Sequence, residues 1–213
     1  MASTKLIKID ESTIGRHRHL DGTDECYYFY EYTVGQGYEG SAPNQFILNF
    51  KKSVLRRGLQ EYRYKQQAIH KAASLIANIQ FSHWNFVPVP PSKTKDHPEY
   101  DSRLIDTLQI ASQANDTILW REFIELQTSH NATHLQDGDR KTPEQLEDLY
   151  TFRPFDSNRN NFVIFDDVVT SGAHFKAIKH IILRHHPNAT VRGLFLARSV
   201  YPEVSFEALF GTE

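Results

Sequence analysis

The stretch that decides the fold is NFVIFDDVVTSGAHFK, residues 161–176. Residues 162–165 form a short run of apolar side chains, which is typical of a strand buried on both faces of a parallel sheet. Asp166 and Asp167 follow at the point where we expect this strand to end. Because open α/β sheets bind ligands at the carboxyl ends of their strands, the sequence predicts a ligand site at this point.

The turn after the two carboxylates is suited to an anion. Thr170, Ser171, Gly172 and Ala173 can direct several backbone N–H groups toward one point, just before the positive end of a predicted helix. Adjacent acids and Thr-Ser-Gly turns also occur without any function, so only their order along one strand–turn–helix unit makes the pattern specific. Carboxylates beside a phosphate-binding turn indicate a receptor for a sugar phosphate.

Length, charge and cysteine content exclude several classes of protein. The 213 residues are enough for one well-cored domain with an elaboration, or for two small domains. The net charge of -2 indicates no general attraction to nucleic acids or acidic membranes, although a local basic patch is compatible with it. A single cysteine, Cys26, rules out an internal disulfide framework. With a polar N-terminus and no membrane-spanning apolar stretch, we expect a cytoplasmic protein without a membrane partner.

The first third of the chain is predicted to be β-rich. Residues 25–34 are dense in aromatic strand formers, and NQFILNF, residues 44–50, has the composition of another strand. A helix is predicted over residues 59–79, with Lys65 among its polar positions. We therefore expect residues 1–84 to be a β-rich N-terminal elaboration with a packing helix.

Strands and helices alternate from residue 85 onward. The predicted strands are 86–89, 117–120, 162–165 and 191–197, and the predicted helices are 99–115 and 173–186. Such alternation predicts an α/β fold with a doubly wound, mainly parallel sheet in residues 85–213.

The segment 127–160 interrupts this alternation, because it is polar and mostly irregular. We interpret it as a hood or lid over the ligand site, since long segments without periodicity are usually functional lids or disordered inserts. Within it, Thr142-Pro143-Glu144-Gln145 has the form of a helix capping box, which predicts a short helix to about Tyr150.

A second motif, FVPVPPSK at residues 86–93, has the form of a strand that ends in a rigid proline loop. The order of FVPVPPSK, helix, strand, hood, FVIFDDVVTSGA and GLFLAR covers residues 85–198. It resembles the ComF-like branch of the type I phosphoribosyltransferases, whose signature is an aliphatic strand followed by DDV(V/I)T(T/S)GAT. The resemblance implies the type I phosphoribosyltransferase fold, and the zinc-binding cysteines common at ComF N-termini are absent from this sequence.

The resemblance also implies a set of ligand contacts to phosphoribosyl pyrophosphate (PRPP). Asp166 and Asp167 would bind the ribose hydroxyls, and residues 170–174 would surround the 5′-phosphate. The loop Pro91-Ser92-Lys93 would bind the pyrophosphate. In this family Mg²⁺ is held mainly by the PRPP oxygens, so Asp166 and Asp167 would assist it indirectly.

This chain departs from the family pattern at His174, which stands where the signature has threonine. The histidine either donates a ring N–H to the phosphate or points into solvent. The backbone of the turn does not depend on that side chain, so the expected phosphate site survives the change.

The implied reaction is displacement of pyrophosphate by a nitrogen atom of a small-molecule acceptor such as a base. Expected catalytic residues are Asp166, Asp167, Lys93 and Arg103, although a solvated helix position is an equal alternative for Arg103. Weaker candidates for contacts to the ligands are Arg140, Lys141, Arg198 and Tyr201.

Other functions and partners remain open at the level of sequence. The alternative to an enzyme is a non-catalytic PRPP- or nucleotide-binding regulator, or an accessory component in DNA uptake or another nucleic-acid-related system. Either a homodimer or a component of a larger complex is compatible with the sequence, and no motif indicates direct nucleic-acid binding.

The histidine pairs of the sequence are not interpreted as zinc ligands. His130 and His134 have the spacing of one helical face but lie in a polar region without a third ligand nearby. His17 and His19 are expected to face solvent.

Overall fold

The computed structural model describes residues 5–80, 83–127, 141–154 and 160–202. Six strands form the main sheet in the order β1-β2-β8-β7-β3-β4, and a hairpin of β5 and β6 stands apart from it. Within the main sheet, β2, β8, β7, β3 and β4 run parallel, whereas β1 pairs with β2 in the antiparallel direction. The predicted α/β fold with a mainly parallel sheet is confirmed.

The strands of the main sheet are β1 Ile7–Lys8, β2 Glu25–Thr33, β3 Asn85–Pro88, β4 Leu119–Trp120, β7 Asn161–Val169 and β8 Thr190–Val200. The hairpin consists of β5 Ile124–Leu126 and β6 Tyr150–Phe152. The helices are α1 Glu11–Ile14, α2 Ala42–Phe50, α3 Arg63–Ala77, α4 Arg103–Ala114, α5 Pro143–Glu147 and α6 Ala173–His185, with 3-10 turns at Val54–Arg56 and Gln60–Tyr62.

Helices cover the sheet in two groups. In the first group α3 packs against α2 and α4, and in the second α5 packs against α6. The strands between them are β7 and β8, whose apolar residues are almost completely buried. A strand that is buried on both faces must be apolar at nearly every position, which explains the continuous hydrophobic run of residues 162–165.

The N-terminal third is not β-rich, and this prediction is wrong. Residues 44–50, predicted as a strand, lie in α2. The helix forms because Ser41 caps it by accepting a hydrogen bond from the Asn44 N–H, and Pro43 lies in its first turn. Phe46, Ile47 and Phe50 then fall on one buried helical face. Strand β2 pairs with β8 along its length, so the first third contributes a strand to the main sheet.

The other predicted elements exist, with shifted ends. Helix α3 begins four residues later than predicted, and so does α4. Strand β8 is longer than predicted at both ends, and β4 is two residues shorter. The capping box at Thr142 is confirmed, because its hydroxyl accepts from the Gln145 N–H and the Gln145 side chain accepts from the Thr142 N–H. The helix after it ends at Glu147, and Tyr150 begins β6.

Across the described ranges, the helices are all too short or too polar to cross a membrane.

Candidate functional site

The two sequence motifs meet at the point where the strand order reverses. From β3 the chain crosses through α4 to β4 on one side, and from β7 it crosses through α6 to β8 on the other. Strands β3 and β7 are neighbours, with Pro88 opposite Phe165, and the Val89 N–H donates to the Phe165 carbonyl at 3.0 Å. In a doubly wound sheet the crevice outside such a pair of strands is the usual ligand site.

Strand β7 continues through both carboxylates, whereas we predicted that it would end before them. The strand extends to Val169 because its other neighbour, β8, is long enough to pair with it there, with Arg198 opposite Val169. Strand β3 ends opposite Phe165. Asp166 and Asp167 are therefore on a strand edge that β3 leaves uncovered, and the rigidity of a strand fixes their directions.

Asp167 points toward the first group of helices, where two cations hold it. Its Oδ2 accepts from Arg103 Nε at 3.0 Å and from Nη2 at 2.7 Å, and Lys51 Nζ lies 3.5 Å from Oδ1. Burial alone would raise the pKa of Asp167, but Lys51 and Arg103 outweigh it and hold the pKa well below its usual range. Asp167 is thus a permanently charged, paired carboxylate.

Asp166 is in the opposite situation. Successive residues of a strand point to opposite faces, so Asp166 points away from Arg103 toward the second group of helices. Its Oδ1 accepts from the Asp167 N–H at 2.7 Å, and within the described part of the chain no cation forms an ion pair with it. Burial, and next the charge of Asp167, raise the pKa of Asp166 to about 7. This partly exposed carboxylate is the one available to a ligand or a cation.

An ion-pair network of Arg103, Asp101 and Lys65 supports Asp167. Arg103 Nη1 donates to Asp101 Oδ2 at 2.7 Å, and Lys65 Nζ lies 2.8 Å from the same oxygen. Lys65 also donates to the Phe50 and Lys52 carbonyls, both at 2.9 Å, and it is only 2% exposed. Lys65 was predicted among the polar positions of this helix, and the structure buries it. Its amine is buried because it connects the end of α2 to the residues that hold Asp167.

The turn after β7 has the backbone expected for an anion site. Gly172 adopts φ 85° and precedes α6, whose first residue, Ala173, donates its N–H to Ser171 Oγ at 3.4 Å. The first N–H groups of a helix have no intrahelical acceptor, so they and the helix dipole favour an anion in front of them. Thr170 is exposed, and Ser171 is partly exposed.

The N-terminal segment holds this turn in place. His17 Nδ1 is hydrogen-bonded to the Thr170 carbonyl, and the His19 N–H donates to the Ser171 carbonyl at 2.9 Å. His17 is fully buried, contrary to our prediction that it faces solvent, and burial lowers its pKa, which keeps the ring neutral. Sequence reasoning missed both residues because their acceptors lie more than a hundred positions away, as the separation of 153 for His17 illustrates.

Leu20 completes these contacts and makes a glycine necessary at position 172. A Cβ atom at Gly172 would lie 2.6 Å from Leu20 Cδ2, and the positive φ is unfavourable for any other residue. We expect Gly172→Ala to lower the free energy of unfolding by about 2–4 kcal/mol, as measured by urea denaturation, because backbone strain and overpacking add.

Gly58→Ala is the matched control for that variant. Gly58 has φ 87°, yet a Cβ there would meet nothing within 4 Å. This variant carries the backbone strain alone, and we expect it to cost only about 1–2 kcal/mol. Equal losses in the two variants would contradict the close approach of Leu20 to the turn.

His174 contacts the hood segment. The Tyr150 hydroxyl lies 2.6 Å from His174 Nδ1, and burial raises the pKa of Tyr150, so this phenol keeps its proton. The ring does not simply point into solvent, which was one of the two expectations. Tyr150 instead ties the first turn of α6 to the β5–β6 hairpin, and this contact fixes the ring beside the anion site.

The proline loop after β3 lines a cavity of about 200 Å³. Pro91 and Lys93 contribute to one wall, and Tyr100, Ile105 and Ile124 to others. Lys93 Nζ lies 3.9 Å from Glu99 Oε2, and Ser92 beside it is partly exposed. Burial, and then Glu122, raise the pKa of Tyr100 to about 12, so its hydroxyl is a neutral donor. The lining of the cavity also includes Glu122 and Glu125, but neither Asp166 nor Asp167.

The remaining candidates are distributed as follows. Arg198, which we considered a weak candidate at a strand end, is 9% exposed and donates through Nε and Nη2 to Glu31 Oε1 at 3.1 and 2.6 Å. Tyr201 is exposed and Lys141 partly exposed. Arg140, His130, His134 and much of the hood lie outside the described residues.

The donor set can be compared with the Mg²⁺ that the family resemblance implies. In the described ranges no three His, Cys, Asp or Glu side chains are grouped so that they could hold a metal ion by themselves. One carboxylate with a raised pKa, next to an anion-binding turn, is consistent with a cation that the ligand brings with it. Asp166 is the carboxylate of the Asp166–Asp167 pair that would assist such a cation.

No family model matches the chain, and no curated protein matches it.

Proposed function

We propose that the protein binds PRPP together with Mg²⁺ and transfers the phosphoribosyl group to a nitrogen atom of a small acceptor. The observation that carries the proposal is the position of Asp166. This carboxylate, which has no ion-pair partner among the described residues, lies on β7 between the anion-binding turn at residues 170–174 and the end of β3, which leads into the proline loop at residues 91–93. A sugar with a phosphate at one end and a pyrophosphate at the other needs three such sites in this order.

Different groups of residues bind the ribose, the 5′-phosphate and the pyrophosphate of PRPP. Asp166 accepts hydrogen bonds from the ribose hydroxyls, while Arg103 and Lys51 hold Asp167 on the other face of the strand. The backbone N–H groups of residues 172–174 and the hydroxyls of Thr170 and Ser171 bind the 5′-phosphate. The loop of Pro91, Ser92 and Lys93 binds the pyrophosphate. Bound Mg²⁺ would supply charge neutralisation on that leaving group.

The reaction follows from these contacts. The bond between the anomeric carbon and the pyrophosphate oxygen breaks, a carbon–nitrogen bond forms, and the acceptor loses one proton to solvent. The protein contributes by positioning the reactants and by stabilising the departing negative charge on Lys93 and the adjacent backbone. The ionised Asp166 carboxylate favours the positive charge that develops on the sugar.

The cavity beside the proline loop is our candidate for the acceptor site. Its volume of about 200 Å³ is below that of sites for drug-sized ligands, so it suits a single small heterocycle. The ring of Tyr100 offers a stacking surface and its hydroxyl a donor, and Ile105 and Ile124 supply apolar walls.

One observation favours a second candidate, a PRPP sensor without catalysis. Both oxygens of Asp167 are engaged by Arg103 and Lys51, so a single carboxylate is left for the sugar. Such a site would hold PRPP without stabilising a transition state fully. Pyrophosphate release, measured across purine, pyrimidine and pyridine bases, separates the two: release with one of them indicates the enzyme, and binding without release indicates the sensor.

Calorimetry with Mg²⁺-PRPP tests the premise that the two candidates share. Because the pKa of Asp166 is about 7, its carboxyl is mostly protonated at about pH 6 and mostly ionised at about pH 8. We expect binding to tighten by about tenfold over this interval through Asp166. The Asp166→Asn variant separates this contribution from the titration of PRPP itself. Absence of binding by the wild-type protein at both pH values would defeat both candidates.

A further inference from the structure

The surface beside the site concentrates positive charge. Five of the residues in the segment 51–64 are basic, and Glu61 is its only acid; the basic residues are Lys51, Lys52, Arg56, Arg57 and Arg63. The whole chain carries a net charge of -2, so this concentration is local. Glu61 is paired with Arg56 at 2.8 Å, which leaves most of the positive charge of the segment uncompensated by its own acids.

Acids on neighbouring elements offset only part of this charge, since Asp167 pairs with Lys51 at 3.5 Å. Asp101 is engaged by Lys65 and Arg103 in the interior, and Asp106 accepts a hydrogen bond from the Ser102 hydroxyl at 2.9 Å. Burial raises the pKa of Asp106. The cations of the segment are mostly exposed, and their charge is therefore presented to solvent.

Aromatic and aliphatic side chains are exposed among the cations. Tyr38 is 44% exposed and Tyr64 41%, and Leu55 and Leu59 are 63% and 53% exposed. Lys52 Nζ lies 5.4 Å from the centre of the Tyr38 ring, and the Arg63 guanidinium 4.9 Å from that of Tyr64. Cations that pack on tyrosine rings keep those rings oriented at the surface.

This basic-aromatic surface, residues 38 and 51–64, continues into the candidate site. Lys51 ends the helix α2 and its Nζ lies 3.5 Å from Asp167 Oδ1, while the rest of the segment extends outward from it. A chain of linked phosphates lying on the surface would therefore lead to the carboxylates of β7.

We infer that the basic-aromatic surface binds single-stranded nucleic acid. Lysine and arginine contact the phosphates, and the exposed tyrosine rings and leucines contact unpaired bases, which a duplex would hide. An anionic membrane is the less favoured partner, because the segment forms short 3-10 turns without an amphipathic helix and because it leads to a site for ribose and phosphate. The inference goes beyond the proposed function and does not require PRPP.

Fluorescence anisotropy with labelled oligothymidylate and oligouridylate of about 20 nucleotides tests the inference, at about 50 and about 200 mM salt. We expect binding at the lower salt that weakens strongly at the higher salt. Arg56→Ala/Arg57→Ala should weaken binding by about tenfold and reduce the salt slope by about 1.4, since each lost phosphate contact removes ~0.7. Tyr64→Ala should also weaken binding by about tenfold through lost stacking.

The matched control is Arg153→Ala/Arg184→Ala, which removes the same charge from β6 and α6. Both arginines are exposed and each pairs with one glutamate, as Arg56 does. We expect this double variant to bind within about twofold of the wild-type protein. Absence of oligonucleotide binding at low salt, or an equal loss in both double variants, would overturn the inference. Binding of phosphatidylserine vesicles through the basic-aromatic surface, without binding of either oligonucleotide, would also overturn the inference.

Discussion

Replacing Asp166 with asparagine is expected to weaken the binding of Mg²⁺-PRPP by about 100-fold without destabilising the protein. Two hydrogen bonds from the ribose hydroxyls to a charged group contribute about 3 kcal/mol or more, which corresponds to this change in affinity. The raised pKa of Asp166 means that the folded protein binds its proton more tightly than the unfolded chain does. Ionisation above about pH 7 therefore costs stability, and asparagine removes that cost.

Calorimetry and thermal unfolding at about pH 8 measure the two parts of this prediction. The melting temperature should be equal or higher in Asp166→Asn, and the fall in wild-type stability as the pH rises toward 7 should be smaller in the variant. Asp116→Asn is the control, because Asp116 is an exposed carboxylate between α4 and β4, at the end of the sheet opposite to the proposed sugar site. Unchanged affinity in Asp166→Asn, with binding intact in the wild-type protein, would refute the role of Asp166.

Arg103→Ala is expected to lower the free energy of unfolding by about 3–5 kcal/mol. The guanidinium is the partner that Asp167 and Asp101 share, so its removal leaves a buried carboxylate with only the more distant Lys51 and leaves Asp101 with Lys65. Urea denaturation measures the change. Arg103→Lys should give an intermediate loss, since it keeps the charge but loses the forked geometry that binds both acids.

Arg56→Ala is the matched control for the stability measurement. Arg56 also pairs with a carboxylate, Glu61, but its side chain is largely exposed. An exposed ion pair contributes only about 0–1 kcal/mol, so this variant should unfold nearly as the wild-type protein does. If Arg103→Ala lowered the free energy of unfolding as little as Arg56→Ala does, the ion-pair network of Arg103 would not support Asp167.

The elements that the sequence predicted well are those defined by neighbouring residues. The apolar run of β7, the glycine before α6 and the capping box at Thr142 are each defined by a few consecutive side chains. The strand prediction for residues 44–50 was wrong because their composition suits a strand and a helix equally well. The choice of a helix depends on the Ser41 cap and on the neighbours that Phe46, Ile47 and Phe50 bury against.

The candidate site was predicted in its ligand-facing residues and missed in its supporting ones. Asp166, Asp167 and the turn at residues 170–174 were identified from one continuous motif. The buried contacts of Lys65 and His17, and the backbone contact of His19, were missed, since nothing near these residues in sequence reveals their acceptors. Arg103 and Asp167 are 64 positions apart, and only folding brings them into contact.

The sequence by itself determined a parallel α/β sheet with a strand–turn–helix anion site, because these features follow from local periodicity and from residues within hydrogen-bonding reach along the chain. Only the tertiary structure decided that the two adjacent aspartates differ. Asp167 is ionised between Arg103 and Lys51, whereas Asp166 has a pKa of about 7 on the other face. The physical reason is that a carboxylate's charge depends on burial and on nearby cations, and both are set by residues from distant parts of the chain.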